Sequence, residues 1–279
     1  MKLRNIEEVL VARAASDGDG VRLKRVFGGG DLSRFDPFLM MDEFGSEEAS
    51  DYIGGFPSHP HRGFETITYM LDGHMQHKDH MGNVGELKSG DVQWMTAGSG
   101  VIHSEMPQQK EGHMRGFQLW LNLAAKDKMQ PAHYEDIAAA TIPQFERQGA
   151  VIKAISGRVN DLQGRVQREV TEPVYLDIEI TDERYFERFD VPDKYTVLVY
   201  VYEGEIEVGD QVLGQSHMAR LSRDGAVQIK GLGAARMLLI AGKPIGEPIV
   251  SYGPFVMNTR EEIEQALADY RDGKLTSAQ

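Results

Sequence analysis

The sequence predicts an all-β protein made of two antiparallel β-barrels and a short C-terminal helix. Thirty glycines recur between short runs of Val, Ile, Tyr, Phe and Thr, a pattern typical of many short strands joined by tight turns. An internal resemblance suggests that two similar units are present. The stretch "TITYMLDGHMQ" in the first half and "VLVYVYEGEIEV" in the second both read as a strand, an acidic residue, a glycine and another strand.

The two predicted barrels are separated by a less patterned stretch that is rich in alanine and charge and contains two prolines, Pro131 and Pro143. We therefore expect an N-terminal barrel over residues 1–135, a linker over 136–160 and a C-terminal barrel over 161–279. The last element of the chain is predicted to be helical. Thr259 and Glu262 have the spacing of a capping box, apolar residues follow at helical intervals, and Gly273 offers a stop.

Composition excludes several classes of site. The chain contains no cysteine, which removes disulfides, thiol catalysis and every cysteine-ligated metal site, and leaves only nitrogen and oxygen ligands. A formal net charge of −13 disfavours direct binding to nucleic acid. No apolar run reaches membrane-spanning length and no secretion signal is apparent, so we expect a cytoplasmic protein without a membrane partner.

The stretch "FPSHPHRGFETITYMLDG" places His59 and His61 two residues apart, on one face of an extended segment. Pro57 and Pro60 donate no ladder hydrogen bond, so they fit the start of a strand or an edge strand. Alone, this pair could equally be two solvated loop residues. The stretch "GDVQWMTAGSGVIHSEMP" then repeats the spacing with His103 and Glu105. Three imidazoles and one carboxylate facing one interior are costly to bury unless each is paired or coordinates an ion, and the joint pattern favours a metal site.

These motifs resemble the metal-binding region of the pirin family, within the cupin superfamily. The stretches "DPFLMMDEFG", "GFQLWLNL" and "GKPIGEPIVSYGPFVMNTREEIEQA" are also similar to pirins, so the resemblance covers most of the chain. It implies two stacked cupin barrels with one mononuclear metal, usually iron, in the N-terminal barrel only. Carried over by position, the ligands are His59, His61, His103 and Glu105.

The general cupin pattern H-x-H-x3-E also matches at Glu65, which is a ligand in many cupins. We expect Glu65 to lie behind the ligands instead, orienting a histidine or an arginine such as Arg62. Phe56, Trp94 and Gln118 are candidates for the wall of a pocket. Of the other histidines of the first half, His74, His77 and His80 are expected in a solvated hairpin loop with His77 near the pocket rim, and His113 and His133 are expected at the surface.

The donor set is compatible with several divalent cations. Three histidines and one carboxylate leave up to two open positions on an octahedral ion, which suits Fe(II), the expected metal, but also Mn, Co, Ni, Cu or Zn. A closed, purely structural zinc site is the alternative.

Resemblance to pirins implies quercetin 2,3-dioxygenase activity, the opening of a flavonol ring by O2 with loss of carbon monoxide. Glu105 would then be the general base that accepts the flavonol hydroxyl proton. The alternative is a non-enzymatic, redox-sensing metal protein that binds a transcriptional regulator or a metabolic enzyme. A metal-dependent isomerase is a third possibility, since fold alone does not define the chemistry.

Overall fold

The computed structural model describes residues 2–276 and consists mainly of β-strands. The first strands are, in chain order, β1 (Ile6–Val11), β2 (Arg13–Asp17), β3 (Val21–Phe27), β4 (Phe38–Ser46), β5 (Phe56–His61), β6 (Phe64–Asp72), β7 (His74–Asp79), β8 (Val84–Lys88), β9 (Val92–Thr96), β10 (Val101–Pro107), β11 (Met114–Asn122) and β12 (His133–Ile137). They are followed by β13 (Gln144–Arg147), β14 (Ala150–Ser156), β15 (Arg158–Val159), β16 (Leu162–Gln163), β17 (Val174–Ile180), β18 (Phe186–Phe189), β19 (Thr196–Glu203), β20 (Glu205–Val208), β21 (Gln211–Gly214), β22 (His217–Leu221), β23 (Val227–Gly231), β24 (Ala235–Gly242), β25 (Val250–Tyr252), β26 (Phe255–Met257) and the helix α1 (Arg260–Arg271). Short 3₁₀ turns span Leu32–Phe35, Ala49–Asp51, Ala125–Asp127 and Ala139–Thr141.

The described residues fall into two compact units. The first barrel contains residues 13–139 and 245–276, and the second barrel contains residues 2–12 and 140–244. The expectation of an all-β chain with two barrels and one short C-terminal helix is therefore confirmed.

The first barrel is built from two antiparallel sheets. The larger sheet has the strand order β12-β9-β6-β11-β4-β3-β2 and the smaller has the order β5-β10-β7-β8. Strand β5 therefore lies at an edge, which is where Pro57 and Pro60 are tolerated because a proline cannot donate a ladder hydrogen bond. The apolar core of the first barrel includes Leu23, Phe44 and Met70.

The second barrel, like the first, has one seven-stranded and one four-stranded sheet. The larger has the order β1-β22-β19-β24-β17-β14-β13 and the smaller has the order β18-β23-β20-β21. Its interior is one large apolar cluster, to which β19 contributes Val197, Val199 and Val201. These three alternate residues point to the same face, as the two-residue period of a strand requires.

The repeated strand–glycine–strand pattern forms equivalent turns in the two barrels. Gly73 joins β6 to β7 with φ of 106°, and Gly204 joins β19 to β20 with φ of 70°. Backbone at positive φ strongly favours glycine, and a Cβ on Gly204 would lie only 2.5 Å from the Ala234 carbonyl oxygen. The predicted correspondence of the two halves is therefore present in the local backbone.

Helix α1 begins with the predicted capping box. The Thr259 side chain accepts a hydrogen bond from the Glu262 backbone N–H, and the Glu262 side chain accepts one from the Thr259 N–H. The inner face buries Ile263 and Ala266 against Phe255 of β26. None of the helices among residues 2–276 has both the length and the apolar character needed to cross a membrane.

The expected division into residues 1–135, 136–160 and 161–279 differs from the two units of the structure. Strand β1 pairs with β22 of the second barrel, whereas α1 belongs to the first barrel. Most of the expected linker is sheet, because β13 pairs with β14 and β14 pairs with β17. The charged residues of β13 that suggested a linker are typical of an edge strand, whose charges discourage pairing with other chains.

Candidate metal centre

Three histidines meet where β5 pairs with β10. The two strands are antiparallel, and His103 stands directly opposite His59. His61 follows two residues after His59 and therefore faces the same side of the strand. His61 and His103 are almost completely buried, whereas His59 is partly exposed. The structure thus brings together the three histidines that the two spaced motifs of the sequence contain.

The ring nitrogens of these histidines are close enough to share one ion. One nitrogen from each of His59, His61 and His103 lies within 4.8 Å of the other two. The Nε2 atoms of His59 and His61 are 3.0 Å apart. His59 Nδ1 donates to the Pro57 carbonyl oxygen at 2.8 Å, which leaves the lone pair on Nε2, the atom that faces His61.

Electrostatics keep the buried pair of imidazoles neutral. Burial lowers the pKa of both His61 and His103 well below the ordinary histidine value, and neighbouring imidazoles lower it further. A metal ligand must be neutral imidazole, so the environment favours the form that binds a cation. His103 Nε2 is buried and has no hydrogen-bond partner among the described residues. This is expected for a nitrogen whose lone pair is available to bind a metal ion.

Glu105 lies next to the three histidines but is not a member of the tight nitrogen group. The pairing of β10 with β5 shifts register between His103 and Glu105, so that Glu105 stands opposite Phe56. The Glu105 carboxylate is buried and lines the same cavity as His59 and His61. It is therefore placed to reach an ion or a molecule held beside the histidines.

The Thr68 hydroxyl contacts both the Glu105 carboxylate and the Gln118 side chain. Thr68 Oγ1 lies 3.1 Å from Glu105 Oε1 and 2.6 Å from Gln118 Oε1, and either oxygen can accept its hydrogen. A hydroxyl has a single hydrogen, so it donates to Glu105 only when Gln118 turns its amide N–H toward the hydroxyl. In that arrangement Gln118, Thr68 and Glu105 form one chain of donors that ends at the carboxylate.

The cavity beside the histidines has a volume of about 780 Å³. Its wall includes Phe56 and Gln118, as the sequence suggested, together with Trp120, whose ring centroid is 5.4 Å from that of His61. Residues of the C-terminal segment (residues 245–276), among them Pro254 and Val256, complete the wall. Trp94 was also expected there, but it is a buried residue of β9 and does not line the cavity.

An ion pair on the cavity wall is the main charged feature apart from Glu105. Arg25 Nε and Nη2 donate to the two Asp42 oxygens at 2.9 and 2.8 Å, a bidentate arrangement. Burial raises the pKa of Asp42 and the guanidinium opposes that shift, which makes the partnership necessary for the carboxylate. Among the described lining residues Asp17 and Asp19 are also acidic, so the cavity favours a cation over an anion.

Glu65 and Arg62, which were expected to lie behind the ligands, are both buried. Thr96 Oγ1 donates to Glu65 Oε1 at 2.7 Å. Arg62 instead reaches the C-terminal segment, where it donates to Asp269 at 2.8 Å and to the Leu275 carbonyl oxygen, and it also donates to the Ser99 carbonyl oxygen. Sequence reasoning could not place Arg62 because two of its three partners, Asp269 and Leu275, lie more than 200 residues further along the chain.

Lys128 is a second buried cation, and it links the C-terminal segment to Gly63, just after strand β5. Lys128 Nζ donates to the carbonyl oxygens of Gly63 and Val256 and to Asn122 Oδ1, all within 3.0 Å. Burial lowers its pKa to about 8. Gly63 is two residues after His61, so this contact fixes the end of the segment that carries two of the histidines.

The expectation of a solvated loop around His77 is wrong. His74 and His77 lie in strand β7, and the His77 side chain is buried, whereas His74 is partly exposed. Apolar Met75, two residues before His77 and therefore on the same face of a strand, is the sequence signal that could have revealed this. The three-residue spacing of the histidines obscured the two-residue period of the strand. Thr68, Arg25 and Asp42 were also missed, because nothing in their local sequence marks them.

The chain matches two family models that together cover most of its length. Residues 20–121 match the model named Pirin, and residues 175–276 match the model of the Pirin C-terminal cupin domain. A protein of Pseudomonas aeruginosa named "Putative quercetin 2,3-dioxygenase" is 53% identical and covers 98% of this chain and 99% of its own. Human pirin is 38% identical, with coverage of 95% of this chain and 91% of its own.

A solved structure resembles the present one closely. The crystal structure of quercetin 2,3-dioxygenase from Acinetobacter baumannii superposes with a TM-score of 0.91 at 34% sequence identity. The match covers 98% of this chain and 99% of that one. The likeness therefore extends over both barrels.

Proposed function

The chain belongs to the pirin family, and from that premise we propose that it is a metal-dependent dioxygenase that opens the ring of a flavonol with O2 and releases carbon monoxide. The observation that carries the proposal is the convergence of three imidazoles at the wall of a cavity that also contains a buried carboxylate. The names of relatives that include quercetin 2,3-dioxygenase support the choice of reaction.

The donor atoms fit a divalent cation. His59, His61 and His103 would hold it through ring nitrogens, and Glu105, on the same strand as His103, is the proposed carboxylate ligand. Nitrogen and oxygen donors of this kind suit Fe(II), the metal we propose, and Mn, Co, Ni, Cu and Zn are the alternatives that metal analysis separates. Such a cation supplies Lewis acidity, which lowers the pKa of a coordinated hydroxyl.

Glu105 is proposed to accept the proton of the flavonol 3-hydroxyl. A general base must lie within hydrogen-bond reach of the proton, and Glu105 lines the cavity beside His59 and His61. The Thr68 hydroxyl lies 3.1 Å from Glu105 Oε1 and can orient the carboxylate once Gln118 turns its amide N–H toward the hydroxyl. The product of this step is a protonated Glu105 and an electron-rich flavonolate that reacts with O2.

The apolar part of the wall is suited to a planar aromatic substrate. Phe56 and Trp120 line the cavity, and their burial against an aromatic ring would exclude water from the reacting atoms. The acidic residues of the wall disfavour substrates that carry carboxylates, which would be repelled by Asp19 and Glu105. An uncharged phenolic substrate is not subject to this repulsion.

The test is turnover of quercetin by the Fe(II)-loaded protein. The protein is loaded without oxygen and mixed with quercetin in air, and loss of flavonol absorbance and release of carbon monoxide are followed together. We expect Glu105→Gln to lower turnover by about 10²–10⁴-fold with the metal retained. His217→Ala, in the second barrel, is the matched control and should turn over normally. Full metal loading without carbon monoxide release would contradict the proposed reaction.

A further inference from the structure

His77 is a buried titratable side chain that the proposed reaction does not use. It lies in β7, which pairs with β10 on one side and β8 on the other. Its side chain is 1% exposed, and its Nε2 atom has no hydrogen-bond partner among the described residues. Gly85 stands opposite it on β8, and the Tyr134 ring lies 5.4 Å from its ring centroid. Buried polar groups are generally hydrogen-bonded, so a partner is expected for the other ring nitrogen of His77, Nδ1.

That partner is His103. The Nδ1 atoms of the two rings are 3.3 Å apart, and the ring centroids are separated by 4.9 Å. A hydrogen bond between two Nδ1 atoms contains one hydrogen, so one ring must donate and the other accept. The contact therefore links the tautomer of His103 to the tautomer of His77.

Only one of the two arrangements leaves His103 able to bind a metal. If His77 donates, the hydrogen of neutral His103 resides on Nε2 and blocks the atom proposed as ligand. If His103 donates from Nδ1, the lone pair of His103 lies on Nε2, the buried nitrogen without a partner. In that case the hydrogen of neutral His77 lies on its own Nε2.

We propose that His77 is a positioning residue that accepts the Nδ1–H of His103 and so fixes the tautomer and ring orientation in which His103 presents Nε2 to the metal. The proposal rests on the proposed metal site for its consequence, but the tautomer itself is a property of the metal-free protein. A histidine that binds a metal generally donates the N–H of its other ring nitrogen to a neighbouring group. That group is usually a carboxylate, a carbonyl or a water. Here a second imidazole takes that place.

The matched substitutions are His77→Asn and His77→Leu. The Asn Oδ1 atom occupies nearly the same position as the His Nδ1 atom and accepts the hydrogen bond, whereas Leu has the same size and accepts none. His74→Leu is the control for mutating a histidine of β7, because His74 faces the other side of that strand. Thermal unfolding of each metal-free variant shows whether it is folded.

Two measurements test the proposal, and the first needs no metal. The ¹⁵N shifts of His103 in the metal-free protein distinguish protonated from bare ring nitrogens. We expect the Nδ1–H form in the wild type, His77→Asn and His74→Leu, and a mixture of both forms in His77→Leu. The wild type with the Nε2–H form, or His77→Leu with unchanged ¹⁵N shifts, would overturn the proposal.

The second measurement is affinity for Ni(II), by competition with a chelator. We expect His77→Leu to bind about 10–100-fold more weakly than the wild type, and His77→Asn to bind within a few-fold of it. Equal weakening by Asn and Leu would show that packing rather than the hydrogen bond matters, and would overturn the proposal. If the wild type failed to bind Ni(II), the proposed metal site would fail while the ¹⁵N result still decided the role of His77.

Discussion

The two barrels share one strand order and differ in what their strands turn inward. Strands β9, β6, β11 and β4 are neighbours in the first barrel in the same order as β22, β19, β24 and β17 in the second. The smaller sheets correspond in the same way, with β5 and β10 matching β18 and β23. The backbone frame therefore does not explain why a candidate metal centre is found in the first barrel.

The difference lies in rows of side chains across equivalent strands. In the first barrel, Gln118 of β11 stands between Asp42 of β4 and Thr68 of β6. In the second barrel, the corresponding strands carry Leu176, Leu239 and Val199, all in the apolar core. Where β10 brings His103 against His59, β23 brings Val227 against Phe189. One barrel is thus filled like an ordinary core, and the other keeps polar groups around a cavity.

Removing histidines from the first barrel should have the largest effect. The double substitution His59→Ala and His103→Ala removes two of three nitrogen donors, so we expect metal affinity to fall by at least about 100-fold. Metal content after gel filtration measures this. His217→Ala in the second barrel should leave the metal content of the protein unchanged. An unaffected metal content in the double variant would contradict the difference drawn between the barrels.

Making the row of the first barrel resemble that of the second should impair turnover without removing the metal. Thr68→Val keeps the shape of the side chain but deletes the hydroxyl that contacts Glu105 at 3.1 Å. We expect quercetin turnover to fall about 10-fold, because outer contacts of this kind orient the group that reacts. Thr68→Ser, which retains the hydroxyl, should recover most of the rate. Equal activity of the Val and wild-type proteins would show that the contact does not position Glu105.

The converse substitution tests the apolar row. Val199→Thr introduces a hydroxyl into the core of the second barrel, next to Leu239. We expect the free energy of unfolding to fall by about 1–3 kcal/mol, the cost of burying a hydroxyl without a full set of partners. Denaturant unfolding measures it. Val199→Ala, which shortens the side chain without adding a polar atom, separates the loss of packing from the burial of a hydroxyl.

The pH dependence of stability should reflect the buried imidazoles of the first barrel. The pKa values of His61 and His103 are lower in the folded than in the unfolded protein. The unfolded chain therefore takes up more protons as the pH falls through about 6.5, and stability is lost in that direction. Between pH 7 and 6 we expect the metal-free protein to lose on the order of 1 kcal/mol from these groups. Replacing both by leucine should flatten the profile, and an unchanged slope would contradict the assignment.

Sequence patterns could predict features that depend on neighbours along the chain. The spacing of His59 and His61, the position of Pro57 at an edge and the capping box of α1 all follow from a few adjacent residues. Features that depend on distant pairing were beyond such patterns. Strand β1 joins the second barrel through β22, more than 200 residues away, which no local composition reveals.

The inner parts of the site show the same limit. Thr68 has significance only because β11 brings Gln118 beside it and β10 brings Glu105 within reach. His77 carries a hydrogen-bonding role only because β7 lies against β10. In both cases the residue type is common and the chemistry arises from cross-strand neighbours.

Anomalous diffraction at the metal absorption edge, from crystals of protein loaded with Fe(II), tests the central claim most directly. The account predicts one peak per chain, about 2.0–2.3 Å from a nitrogen of each of His59, His61 and His103, distances usual for divalent first-row ions. It also predicts a Glu105 oxygen at the same ion and no peak in the second barrel. A peak elsewhere, or ligation by Glu65 in place of Glu105, would contradict it.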